Sequence, residues 1–282
     1  MKYKLLIKTQ DEKGLVFRIS KILFDNNFNI EKQSEFVDMD TNCFFFRAEF
    51  STSQPLDENK IETIEQDLKA CLPMSSHCGV KKFARKQIVV FVSKESHIVG
   101  DLLIKYNSGE LNADIVAVIS NHQDLQKLVE KFDIPYYYVP HSRENKQVHE
   151  KAIADILSSL GCLDVVVLAK YMQIIPSAIV NEYAGRLINI HHSFLPAFIG
   201  KNPYHQAFIR GVKMIGATAH FVTEVLDGGA IIDQDLVKID HTYDTVAMRE
   251  YGESIETLVL TRALKLVLND RVFVHNNKTV IF

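Results

Sequence analysis

The segment Arg186-Leu187-Ile188-Asn189-Ile190-His191 reads as a strand whose polar residues Asn189 and His191 stand two apart. They share one face of the strand, and Ile188 and Ile190 take the other. A carboxamide with two N–H donors beside an imidazole that can move a proton suits a reaction in which negative charge develops on a carbonyl oxygen. A strand-end cap at Asn189 and a satisfied core histidine at His191 account for the same pair. A carboxylate follows in Glu224-Val225-Leu226-Asp227-Gly228-Gly229, the connection between strands predicted at residues 215–223 and 230–239. Asp227 there either fixes the tautomer of His191 and orients water, or serves as the turn former of an Asp-Gly hairpin. His191, His192, His205 and His220 offer imidazoles to a metal. No His-Glu-x-x-His or Cys-x-x-Cys pair accompanies them, so no metal is expected. Gly-x-Ser-x-Gly, Walker and Gly-x-Gly-x-x-Gly motifs are absent from the sequence, which removes the usual marks of serine-hydrolase, nucleoside-triphosphate and dinucleotide chemistry.

The elements that must hold these residues alternate. Strands are predicted at residues 88–93, 114–120, 136–139, 163–169 and 186–190, with helices to about 106, to about 132 and over 148–160 between them. Short, nearly continuous apolar strands of this kind are covered on both faces, so the expected fold is an open, mostly parallel, Rossmann-like α/β sheet. Its ligand crevice should lie beyond the carboxyl ends of the strands. Residues 1–83 read differently: strand 3–9, a helix carrying Leu15, Ile19, Ile22 and Leu23, a hairpin of 30–37 and 43–50, a helix over 56–72, and a closing strand at 79–83. That order is a ferredoxin-like βαββαβ unit. The basic stretch Lys81-Lys82-Phe83-Ala84-Arg85-Lys86 lacks apolar periodicity, which places a linker at 84–87 and the second domain at 88–282.

Composition narrows the classes further. Of 282 residues, 47% are hydrophobic and 24% charged, the balance of a folded soluble domain. Lys and Arg total 32 against 35 Asp and Glu, a net charge of −3, so neither nucleic acid nor an anionic membrane is an expected partner. Apolar runs such as Val165-Val166-Val167-Leu168-Ala169 are strand-sized and far short of the ~20 residues of a membrane span. Met1 to Lys8 breaks its apolar run too early for a signal-peptide core, so a cytoplasmic location is expected. Cys43, Cys71, Cys78 and Cys162 fit neither a zinc nor a disulfide pattern and are read as reduced.

Two resemblances add to this reading. Ile188-Asn189-Ile190-His191-His192-Ser193-Phe194-Leu195-Pro196 and His220-Phe221-Val222-Thr223-Glu224-Val225-Leu226-Asp227-Gly228-Gly229 together resemble the folate-dependent formyltransferase family, over residues 87–268. The resemblance implies a catalytic set of Asn189, His191 and Asp227. It also implies a pterin pocket at Met172, Gln173, Ile174 and Ile175, with Thr223, Glu224 and Val225, and with His192 beside the reacting group. The first unit, with Asp11-x-x-Gly14-Leu15-Val16, Ile19, Leu23 and Asn29-Ile30, resembles the ACT domain. That implies an amino-acid effector near Asp11, Gly14 and Asn29, and pairing into a homo-oligomer, a tetramer. Gly14 frees the backbone at a helix mouth whose amides suit a carboxylate, or it only turns a chain that Asp11 caps.

Nucleotide-formylating members of the family carry a Gly-rich turn after the first strand. Here the turn is Ser93-Lys94-Glu95-Ser96-His97, with no glycine to form an anion nest and with a carboxylate that repels phosphate. An ACT-like unit followed by this domain, with His191 to Pro196 continued by Ala197 and Phe198, resembles the hydrolytic branch of the family. The implied reaction is 10-formyltetrahydrofolate plus water giving formate and tetrahydrofolate, a step of one-carbon metabolism and purine biosynthesis. Folate is then substrate, and neither cofactor nor metal is required. Where the transferases tend to carry proline this chain has His192, expected to hold the water or narrow the acceptor site. Formyl transfer to an amine such as glycinamide ribonucleotide, and a non-catalytic amino-acid sensor, are the alternatives.

Overall fold

The computed structural model describes residues 1–142, 144–196 and 203–282, so Ala197 and Phe198 lie outside the described residues. The chain divides into two compact units, residues 1–84 with 280–282, and residues 85–279.

The first unit contains β1 (Lys2–Gln10), α1 (Leu15–Asp25), β2 (Asn29–Asp38), β3 (Cys43–Ser51), α2 (Glu58–Cys71) and β4 (His77–Lys82). The strands form an antiparallel sheet in the order β2-β3-β1-β4. Alternation along β1 buries Tyr3, Leu5 and Ile7 against Ile19 and Leu23 of α1 and Ile64 and Leu68 of α2. Asp57 caps α2 by accepting from the Lys60 N–H at 2.7 Å. Gly14 precedes α1 at φ 88° with no side-chain cap, so Asp11 is not the cap of that helix. Asp11 is tied instead to the β2–β3 turn, its N–H donating to the Asn42 carbonyl at 2.8 Å.

The second unit contains β5 (Lys86–Val92), α3 (His97–Asn107), β6 (Ala113–Ser120), α4 (Gln126–Val129), β7 (Tyr136–Tyr138), α5 (Lys146–Ser159), β8 (Val165–Ala169), α6 (Ser177–Glu182), β9 (Leu187–His191), α7 (Pro203–Arg210), β10 (Met214–Phe221), β11 (Ile231–Lys238), α8 (Thr245–Leu268), β12 (Val272–His275) and the start of β13 (Lys278–Ile281), whose last two residues are counted with the first unit. Seven strands make one sheet in the order β11-β10-β9-β8-β5-β6-β7, and β12 pairs with β13. β7, β6, β5, β8 and β9 run parallel, whereas β10 and β11 are antiparallel to their neighbours. The expected mostly parallel sheet is the observed one.

Both faces of β5 are covered, which is why its sequence is apolar without alternation. Ile88, Val90 and Val92 pack with Leu102 of α3 and Leu260 and Leu264 of α8. Val89 and Phe91 pack with Ile153 and Leu157 of α5 and Ile179 of α6. Lys86 and Gln87, expected in the linker, begin β5. α6, α7, α8 and the β12–β13 hairpin extend beyond the elements read from the sequence. α8 buries ten of its 24 residues, and a helix wrapped on several sides shows no single apolar stripe.

The β10–β11 connection closes on itself: the Phe221 N–H donates to the Ala230 carbonyl at 2.9 Å, and Gly228 N–H to the Val225 carbonyl at 3.1 Å. A Cβ at Gly229 would lie 1.7 Å from the Phe221 carbonyl oxygen. Gly229→Ala is therefore expected to force the strand pair apart at a cost of about 3 kcal/mol, the upper range for overpacking. Urea denaturation checks it; an unchanged midpoint would show that the loop absorbs a methyl group.

Candidate active site

Residues Leu187, Asn189 and His191 share one face of β9, and Leu187 packs in the cluster on the α5 and α6 side of the sheet. Ile188 and Ile190 pack in the other cluster. Asn189 and His191 thus stand on one face near the carboxyl end of a central parallel strand, where strand periodicity predicted them. Asp227 reaches them from the β10–β11 connection at φ 54°, a left-handed conformation that Asp tolerates better than most residues.

The Asp227 carboxylate lies 3.3 Å from His191 Nδ1 and 3.7 Å from His220 Nε2. His191 above all holds the Asp227 carboxyl well below the usual carboxylate range, so it is ionised at pH 7. An acceptor-only carboxylate requires the proton on His191 Nδ1. The opposite ring atom, His191 Nε2, is buried and is the one buried side-chain nitrogen or oxygen among the described residues without a hydrogen-bond partner. Buried polar atoms of this kind are rare in native proteins.

Sequence reasoning missed the role of His220, which entered only as a metal candidate. It stands directly across from Asn189 in the β9–β10 register. His220 Nδ1 is 2.8 Å from the Phe221 carbonyl oxygen, which can only accept, so the ring proton is on Nδ1. His220 Nε2 then accepts from Asn189 Nδ2 at 3.3 Å. This bond fixes which way the carboxamide points and turns its second N–H toward other partners. Strand pairing is the signal that finds His220, and it becomes visible only once β9 and β10 are known neighbours.

The His192 ring stacks on that of His191, 5.2 Å between centroids and 18° between planes. Burial first and the Lys170 ammonium second push the His192 imidazole down to about 4, so the ring is neutral at pH 7. Lys170 follows β8 at φ 62° and pairs with Glu256, a buried carboxylate that sequence reasoning also missed. Burial alone would raise the Glu256 carboxyl, but His97, Lys170 and Tyr204 together bring it down to about 2.

At the β10–β11 connection is a cavity of about 390 Å³, which Asn189, His191 and Asp227 do not line, within the range of small-ligand pockets. Thr223, Glu224 and Val225, expected as substrate contacts, line it, with Val180 and Asn181 of α6 and Asn277 of the hairpin. Met172, Gln173, Ile174 and Ile175 are not among the residues lining this cavity. Ile175 is buried in the core and Met172 and Ile174 are exposed, with Met172 N–H donating to Ser93 Oγ at 3.1 Å. Asn277 Nδ2 donates to the Gly228 carbonyl at 2.8 Å, which ties the hairpin to the Asp227 loop.

In the first unit Asp11 and Gly14 stand at one end of the sheet. Asn29 pairs with Ser51, which pairs with Lys2, so it stands at the other end. The fold of a single chain does not bring these three residues together. Among the described residues no three His, Cys, Asp or Glu side chains are grouped to hold a metal.

The formyl transferase family model matches residues 86–264. Formyltetrahydrofolate deformylase of Haemophilus influenzae is 46% identical over 277 residues, 98% of each chain. The protein of that name from Bacillus subtilis is 40% identical over 100% of this chain and 94% of its own length. A crystal structure of a formyltetrahydrofolate deformylase from Pseudomonas syringae pv. tomato superposes with a TM-score of 0.96 at 42% identity, covering 100% of this chain and 95% of that one. On this near-full-length similarity, the chain belongs to the formyltetrahydrofolate deformylase family.

Proposed function

We propose that this protein hydrolyses 10-formyltetrahydrofolate to formate and tetrahydrofolate, with Asn189, His191 and Asp227 as its catalytic residues. The observation that carries the reading is the His191 ring, anchored at Nδ1 by an ionised carboxylate and bare at a buried Nε2. An imidazole so held has one atom left with which to meet a reacting group. Protonated at both nitrogens for this step, His191 donates its Nε2–H to the formyl oxygen as that oxygen becomes an oxyanion. The second N–H of Asn189 donates to the same oxygen.

Water adds to the formyl carbon and gives a proton to His192, whose ring is neutral at pH 7. The C–N10 bond then breaks, N10 takes a proton from His191, and the proton held by His192 leaves with formate or restores His191. The cavity lined by Thr223, Glu224 and Val225 takes the pterin. The exposed apolar side chains of Met172 and Ile174 after β8, and of Val225 and Leu226 after β10, offer a surface to the rest of the folate. No cofactor enters this scheme. The β5–α3 turn, with Glu95 and no glycine, favours water over a phosphorylated amine as acceptor.

We also place the protein in the cytoplasm as a homo-oligomer, a tetramer, whose ACT-like unit takes an amino-acid effector. The uncapped start of α1 at Gly14, where backbone amides are available to a carboxylate, supports a site at Asp11 and Gly14; Asn29 would join it only from another chain. Light scattering that returns a monomer mass contradicts the assembly.

Purified protein is expected to release formate from 10-formyltetrahydrofolate with no amine present, at a rate unchanged by glycinamide ribonucleotide. Asn189→Ala and Asp227→Asn should each lower kcat by ~10²–10³, the loss typical of one oxyanion-hole donor, with KM little changed. Near-normal turnover in either variant contradicts its role.

The neutral state of His192 has a consequence for stability. Its folded value of about 4 lies below the ~6.5 of an unfolded histidine. Between those values the unfolded chain binds a proton that the folded chain does not, so this contribution is complete above pH 6.5 and is lost as pH falls toward 4. The loss amounts to about 3 kcal/mol. Urea denaturation at pH 7.5 and pH 4.5 should show a smaller pH effect in His192→Gln than in the parent, and equal effects would contradict the burial of a neutral ring.

A further inference from the structure

Beside the reacting histidines, four side chains form a closed polar network. Glu256 lies on the buried face of α8 among Ile255, Val259 and Leu260, and its side chain has no exposed area. Its Oε1 accepts from Tyr204 Oη at 2.6 Å and Lys170 Nζ at 3.0 Å. Its Oε2 faces His97 Nε2 at 3.0 Å and Lys170 Nζ at 2.9 Å. Lys170 comes from the carboxyl end of β8 and His97 from the start of the helix that follows β5, so the network stands where an open α/β sheet forms its ligand crevice.

A buried ion pair is a poor source of stability, because desolvation offsets the attraction. Two backbone features nevertheless serve this one. Lys170 is held at φ 62°, uncommon for a residue with a side chain. At Gly252 a Cβ would lie 2.1 Å from Tyr204 Oη, so glycine there makes room for the tyrosine. Every acceptor position of Glu256 is taken by a protein donor, and the cluster therefore offers a wall and not a binding site. The wall adjoins His192, whose ring lies 6.4 Å from that of Tyr204 and stacks on His191 on its other contact. None of the four residues lines the cavity at the β10–β11 connection.

We propose that the Glu256 network selects the nucleophile: with Tyr204, Lys170 and His97 it fills the crevice alongside His192, so that water reaches the formyl carbon and an amine does not. The inference rests on the hydrolytic reading of the site. With the wall opened, an amine nitrogen adds to the formyl carbon in place of water, the C–N10 bond breaks, and N10 takes the proton that the amine loses. The products are the formylated amine and tetrahydrofolate.

Glycinamide is the probe, supplied in excess with 10-formyltetrahydrofolate, and the ratio of N-formylglycinamide to formate is the readout. A loss of overall activity does not move that ratio. Lys170→Gly keeps a backbone that accepts positive φ and removes the ammonium with its chain. Gly252→Ala pushes Tyr204 off Glu256 without changing any charge. Wild type is expected to yield mainly formate with a low ratio, and at least one folded variant to raise that ratio by ~10-fold or more. A smaller rise in both overturns the inference. Failure of wild type to release formate would instead contradict the hydrolytic reading.

Discussion

An ionised carboxylate 3.3 Å from one nitrogen of a buried imidazole is the interaction on which the rest of this site depends. Without Asp227 nothing fixes the proton on His191 Nδ1, and the Nε2 atom has no defined role. The connection that carries Asp227 is shaped for that contact: a left-handed residue at Asp227, and a glycine at 229 where a side chain would strike the backbone of Phe221. The hairpin that follows α8 reaches back through Asn277 to hold the same loop.

The parallel sheet supplies the other half of the arrangement. Because β5, β8 and β9 run in one direction, the residues that follow them meet at one edge: Ser93 and His97, Lys170, and His191 with His192. The antiparallel β10 then places His220 across from Asn189. Amide, imidazoles and carboxylate converge although they are far apart in the chain. The two stacked histidines differ in surroundings: His191 sits against an anion, and His192 is half-buried near an ammonium. Environments that separate two like groups in this way assign them different tasks.

Much of this was legible in the sequence, and the physical reasons are specific. Asn189 and His191 could be read because a strand alternates strictly, and two residues apart means one face. The ferredoxin-like unit and the parallel sheet could be read because strands buried on two faces differ in pattern from half-buried ones. His220 could not be assigned, since its meaning lies in the pairing of β10 with β9, and register is not written along one strand. Glu256 was invisible for a related reason: α8 is buried on several sides, so its periodicity is weak and a single carboxylate within it looks like a surface residue. The separation of Asn29 from Asp11 and Gly14 is likewise a matter of which end of β2 faces which end of β1. The cavity lined by Thr223, Glu224 and Val225 joins α6, the β10–β11 connection and the hairpin, three segments whose meeting is not written along any one of them.

The central claim is that His191 Nε2 and Asn189 meet the formyl oxygen, and a crystal structure with a non-hydrolysable 10-formyl folate analogue tests it most directly. The account predicts the pterin in the cavity lined by Val180 and Thr223, and the formyl oxygen within ~3.2 Å of both His191 Nε2 and Asn189 Nδ2, ordinary hydrogen-bond reach. An analogue bound with its formyl oxygen beyond ~4 Å from His191 Nε2, too far for any hydrogen bond, would contradict it.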